Sequence, residues 1–122
     1  MNKKKGLVEA EISKTLTQWE KEYLGRGSVQ VKTDILRNLL IIQLKGILTP
    51  AEQALTRTEP GMLAVKRNRS ELIETGSNEL KKIIHEITGV EATCFHTDIS
   101  TRSGERVIVF TLAEDLEAKL NS

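Results

Sequence analysis

The sequence is poor in the residues that mark most specialised sites. It has one cysteine, Cys94, so no internal disulfide can form, and a reducing cytoplasm is the expected location. No Cys/His set has the spacing of zinc ligands, and neither a metal nor another cofactor is expected. One Trp, one Tyr and two Phe are too few to interleave with bases, which argues against a stacking platform for single-stranded nucleic acid. Charge of one sign is also lacking. A net charge of +1 creates no field for a polyanion, so nucleic acid is not an expected partner. Lys3-Lys4-Lys5 leads into Gly6-Leu7-Val8-Glu9 instead of a long apolar run, so neither a signal peptide nor membrane insertion is expected. What remains is 39% hydrophobic and 29% charged residues over 122 positions, ordinary for one domain (1–122) whose core Leu, Ile and Val must fill.

The order of elements follows from periodicity. Val8, Ile12, Leu16, Trp19 and Tyr23 recur every three or four residues and predict a helix from Leu7 to Leu24, stopped by Gly25-Arg26-Gly27. Ser28 to Thr33 alternates as a half-buried strand, Asp34 to Asn38 turns, and Leu39 to Leu44 reads as an apolar central strand. Thr49-Pro50-Ala51-Glu52 is the sharpest local signal: an N-cap, a proline at the first helical position and the glutamate of a capping box. A short helix is expected from Pro50 to Thr58, then one long helix from near Gly61 to Thr88, with Gly89 as its cap. Gly76 on its apolar face suggests that another backbone packs close there. Val90, Ala92, Cys94 and His96 are expected on one strand face. Arg106 to Leu112 returns with Val107, Val109 and Thr111 opposed to Ile108, Phe110 and Leu112, and a short helix covers Ala113 to Leu120. The plan is α+β, in the order α-β-β-α-α-β-β-α. Two hairpins make one four-stranded antiparallel sheet packed against helices on one face.

Arg69 is the most informative position. On the expected long helix it points the same way as Gly76, Leu80 and Ile87, in the middle of an apolar stripe, with Lys66 beside it. A guanidinium keeps its proton, so if buried it needs a carboxylate, phosphate or carbonyl partner. The alternative is a packed stem at the edge of the stripe with its head in water. Lys66-Arg67-Asn68-Arg69 also places cations where they oppose the helix dipole. A partner's acidic surface, or an internal pair with Glu52 or Asp98, would account for that. Arg26, Lys66 and Arg69 are therefore the candidate anion- or partner-binding residues. Glu52, His96, Asp98 and Arg102 form a second, polar set. His96 and Asp98 share a strand face and could move a proton, but no nucleophile stands clearly beside them, since Cys94 is expected to point into packing. Gly25-Arg26-Gly27 lacks the lysine-serine pair and the strand-to-helix setting of a phosphate loop, so it reads as a helix stop. No catalytic residue is assigned, and the chain is not expected to be an enzyme.

Taken together, Gly25-Arg26-Gly27, Leu48-Thr49-Pro50-Ala51-Glu52, Val65 with Arg69 and Leu72, and His96 to Thr101 with Gly104-Glu105 resemble a small bacterial family of unknown function. That family is labelled as the C component of a sodium-translocating, membrane-potential-generating system. The resemblance runs from about Gly6 to Leu112. One departure is visible, in that Ser28 stands where family members often have proline after the glycine-arginine-glycine turn. The resemblance implies a cytosolic protein of about this size, without established catalytic residues, associated with membrane components. The missing catalytic set and membrane span, with the basic helix start beside Arg69, lead to the expectation of a non-enzymatic accessory or regulatory role through protein contacts. The resemblance adds a membrane-transport protein as a candidate partner. A small-ligand or anion-binding module centred on Arg69 is the alternative.

A homodimer is also expected. Leu39 to Leu44 is apolar on both faces, and the helices are needed on one of them. Trp19 and Tyr23, at the end of the first helix's stripe, are residue types enriched in interface cores. A first helix that crossed to the second face would instead give a monomer.

Overall fold

The computed structural model describes residues 4–25 and 27–121. Helix α1 (Lys5–Leu24) buries Val8, Ile12, Leu16 and Trp19 along one stripe and ends at Gly25, whose φ of 87° is the left-handed cap. Strands β1 (Gln30–Leu36) and β2 (Leu39–Lys45) form a hairpin paired down to Leu36 and Leu39. The turn is therefore two residues, Arg37-Asn38, and not the five expected from Asp34 to Asn38. The C-terminal segment explains the tight turn. Glu117 accepts from the Arg37 N–H at 3.0 Å, and the Leu112 N–H donates to the Asn38 carbonyl at 2.8 Å.

Helix α2 (Pro50–Leu55) opens with the expected capping box between Thr49 and Glu52. It ends three residues earlier than expected, because Thr58 caps the next helix through the Gly61 N–H. Gly61 is required at this corner, where a Cβ would lie 2.0 Å from the Leu55 carbonyl oxygen. The expected long helix is divided at Gly76 into α3 (Glu59–Thr75) and α4 (Ser77–Thr88). Backbone hydrogen bonds cross the junction from Gly76 to Leu72 and from Leu80 to Gly76, so the ladder continues through the division. The neighbour that needs a glycine there is a side chain and not a backbone: a Cβ on Gly76 would stand 2.6 Å from Trp19 Cζ2. Trp19 is thus a core residue, 5% exposed, and not an interface anchor, while Tyr23 stacks on it at 4.7 Å between ring centroids.

Strands β3 (Ala92–Ser100) and β4 (Glu105–Leu112) complete one antiparallel sheet in the order β1-β2-β4-β3, and α5 (Leu116–Asn121) follows. A bulge between Ala92 and Cys94 changes the parity of β3. Ala92 faces the core, but beyond the bulge Phe95, Thr97 and Ile99 do so. Cys94 and His96 pair with Thr111 and Val109 on the opposite face, and Cys94 is exposed instead of packed.

The core lies on one side of the sheet. Ile35, Leu40, Ile42, Leu44, Ile108, Phe110 and Leu112 are buried there beneath the helices. The hydroxyl of Ser13 on α1 meets that of Thr33 on this same face at 2.8 Å. The first helix therefore does not cross to the other side. Among the described residues nothing covers the second face, whose centre is made by Leu39, Ile41, Val107 and Val109.

Candidate functional site

Arg69 lies between Val65 and Ile73, the two buried residues of α3, so its guanidinium is carried inward with them. There it meets Glu52 at the start of α2. Nε donates to Glu52 Oε2 at 2.8 Å, Nη2 donates to Glu52 Oε1, and Nη2 also reaches the Ile47 carbonyl at 2.8 Å. The two side chains are only 10% and 22% exposed. Glu52 has a second task, since Oε1 accepts the Thr49 N–H while the Thr49 hydroxyl accepts the Glu52 N–H. Burial pushes the Glu52 carboxyl up, but the hydrogen bonds from Arg69 and Thr49 outweigh it and hold the group below its ordinary range. The Arg69–Glu52 pair thus joins the segment after β2, the capped start of α2 and the middle of α3. A fork so occupied holds the fold together. It leaves little of Arg69 for an external anion.

Lys66, one turn earlier, lies 3.4 Å from Asp98 Oδ1 and ties α3 to the edge strand β3. The Ile99 N–H on the same oxygen, and then Lys66, hold Asp98 below its usual range. Lys66 and Arg69, two of the three cations in Lys66-Arg67-Asn68-Arg69, are therefore met inside the chain, through both internal acids named from the sequence. The polar set itself does not assemble. Glu52 belongs to Arg69 and Asp98 to Lys66, while His96 stands exposed on the open sheet face and Arg102 is exposed in the β3–β4 turn. Arg26 lies outside the described residues. Among those described, no group of three or more His, Cys, Asp or Glu side chains could hold a metal ion.

A second buried cation went unmarked in the sequence reading. Arg106 is 4% exposed, and Nη1 donates to the Thr97 hydroxyl at 2.7 Å. Glu20, 5% exposed, is near enough to act on its charge, but both Glu20 oxygens are held by Ser28, from its N–H at 3.1 Å and its hydroxyl at 2.7 Å. Burial, followed by the like charge of Arg69, pulls the Arg106 guanidinium down to about 10, so it stays charged at neutral pH. Arg69, Arg106, Glu20 and Trp19 border a small cavity of about 20 Å³ walled by Leu16 and Leu80. That is room for one water. The signal for Arg106 was in the strand itself: it shares the parity of Ile108, Phe110 and Leu112.

Comparison with known proteins gives this geometry a family. The model for a family described as "Na+-translocating membrane potential-generating system (MpsC)" matches residues 4–114. The "Uncharacterized protein YbcI" of Bacillus subtilis (strain 168) is 60% identical over 120 residues, covering 98% of this chain and 97% of that protein. The "Uncharacterized protein YrhF" of the same organism is 25% identical over 108 residues, 88% of each chain. No solved structure matches. With its capped α2, its Arg69–Glu52 clamp and its two-hairpin sheet inside the matched span, the chain belongs to the MpsC family.

Proposed function

We propose that this protein is a non-enzymatic, cytosolic accessory or regulatory component that works through protein contacts beside the membrane parts of a bacterial Na+-translocating, membrane-potential-generating system. The observation that carries this reading is the division of labour in the fold. The polar groups best placed for chemistry are engaged in internal pairs, Arg69 with Glu52 and Lys66 with Asp98, while a whole sheet face stays uncovered. Such a face suits a macromolecular surface better than a small substrate. No helix among the described residues is long and apolar enough to cross a membrane, so any role in ion movement would depend on other chains. Affinity capture from the native organism at low and moderate salt tests the proposal. Membrane proteins of one transport system should come down at both; finding no protein partner at either would overturn it.

A second reading, a module for a small anion at Arg69, is favoured by one feature, the cavity shared with Arg106. Because the Arg69 fork is spent on Glu52, Arg106 would have to meet the anion. Trp19 borders the cavity, so its fluorescence can report on occupancy. A saturable change with chloride, absent in Arg106→Met, would favour this reading; no change at millimolar concentrations favours the first.

A further inference from the structure

The open sheet face sets Lys32 on one edge strand level with Asp98 on the other, too far apart to meet within one copy of the chain. Two levels of residues cross it. Lys32, Gln43, Val107 and Asp98 are paired in sequence across β1, β2, β4 and β3, and Asp34, Ile41, Val109 and His96 form the next level. Lys32 and Asp34 lie on one edge strand, His96 and Asp98 on the other. Three strand spacings separate the two edges, about 14 Å. No side chain bridges that within one sheet.

We propose that this face is closed by the same face of a second copy, about a two-fold axis running parallel to the strands between β2 and β4. Rotation about that axis lays β1 on the partner copy's β3 and β2 on its β4, with each level kept opposite itself. Lys32 then faces the second copy's Asp98, and Asp34 faces its His96. Lys45, one level beyond Gln43, faces its Glu105. At the centre Ile41 meets Val109 in both directions, the apolar contact that excludes water. Gln43 opposite Val107 and Thr111 opposite Leu39 are the polar residues left on the central strands. Asp98 remains available: its bonds from Ile99 and Lys66 both fall on Oδ1, and the side chain is 78% exposed. The other in-plane two-fold, perpendicular to the strands, would set Lys32 on Asp34 but place Lys45 over Leu39. The strand-parallel axis sets Lys32 on Asp98 and Lys45 on Glu105 at once and is isologous, as a closed dimer requires.

This inference rests on the protein-contact reading, and its test is separate from the capture experiment. Sedimentation equilibrium of the full chain at tens of micromolar should give a mass near twice 13.6 kDa; a mass at 13.6 kDa overturns the dimer and leaves a membrane partner untouched. Ile41→Arg should give a folded monomer by circular dichroism. Lys32→Glu and Asp98→Lys should each raise the dimer Kd about tenfold or more through two like-charge contacts. An equimolar mixture of the two should restore it, because each variant then faces its complement. If the mixture stays as weak as its components, or if Asp34→Lys rescues Lys32→Glu where Asp98→Lys does not, the proposed axis is overturned.

Discussion

The two faces of the sheet are built from similar residues and differ in what they do. On β2, Leu40, Ile42 and Leu44 are 0–2% exposed beneath the helices, while Leu39 and Ile41, one residue away, keep part of their surface in water. On β4, Ile108, Phe110 and Leu112 contrast with Val107 and Val109 in the same way. The lesson is that an apolar run through a strand does not itself say how many layers cover it. Burial alternates perfectly although hydrophobicity does not. The side a chain covers is decided by how much helix it has, and α1, α3 and α4 are spent on one. Polar groups divide in parallel. Beneath the helices Glu52, Glu20 and Thr97 each have a partner, whereas the charges of the open face are spread over all four strands.

The sharpest way to break the comparison is to cut the same strand on either side. Phe110 is fully buried against Phe95, 5.3 Å between centroids. Phe110→Ala should cost about 3–5 kcal/mol, the loss of a packed ring plus its cavity. Val109→Ala, next in sequence on the open face, should cost about 1 kcal/mol or less at submicromolar concentration, where dimers contribute little. Urea denaturation of both variants checks this, and equal losses would mean that the second face is covered within one chain.

Removing the Arg69 clamp should come next in size. Arg69→Ala strands Glu52 in a partly buried site and leaves the Ile47 carbonyl without its donor, so a loss of about 2–3 kcal/mol is expected. Asp98→Ala, whose ion pair with Lys66 is largely exposed, should cost under about 1 kcal/mol. Thermal unfolding of the two variants ranks the pairs, and the reverse order would undo the assignment of Arg69 as the structural clamp.

Gly76→Ala tests the helix junction. The new methyl would overlap a Trp19 ring carbon, and that ring is held by its stack on Tyr23. The overlap should outweigh the helix propensity gained, for a net loss of about 1–3 kcal/mol. Trp19→Leu in the same chain should recover part of it. A stabilised Gly76→Ala, read by urea midpoint, would show that α3 and α4 prefer to run as one helix.

That junction also shows where the sequence ran out. Element order, the parity of β4 and the Thr49–Glu52 capping box were legible because each rests on neighbours three or four residues apart, or on a strict alternation. The division at Gly76 was not: apolar spacing continues from Val65 through Ile84, and the cause is a tryptophan 57 positions earlier. The bulge in β3 was hidden because Thr93 and Cys94 are acceptable on either face. Of the candidate site, Glu52 and Asp98 could be named as internal acids for the Lys66–Arg69 run, but which cation each meets depends on packing between α2, α3 and β3 that local spacing does not carry. The burial of Arg106 needed the strand's parity to be taken as stronger evidence than its charge.

The smallest effect follows from Glu52 and separates the two faces by pH. Its carboxyl titrates below its ordinary value in the folded chain, because Arg69 and the Thr49 N–H favour the charged form more than burial disfavours it. A depressed folded value means that the ionised group stabilises the fold at any pH above the unfolded value of about 4.5. As pH falls through the lower folded value, Glu52 takes up a proton and that contribution is lost. Glu52→Gln keeps the shape and an acceptor for Arg69 but removes the charge. Wild type should therefore exceed Glu52→Gln in urea midpoint at pH 7, with the gap closing towards pH 3. Asp34, on the open face, provides the contrast, since Asp34→Asn should leave the monomer's midpoint nearly unchanged at pH 7. A gap for Glu52→Gln that stays constant from pH 7 to pH 3 would mean that the variant perturbs packing and not the charge pairing on which the covered side depends.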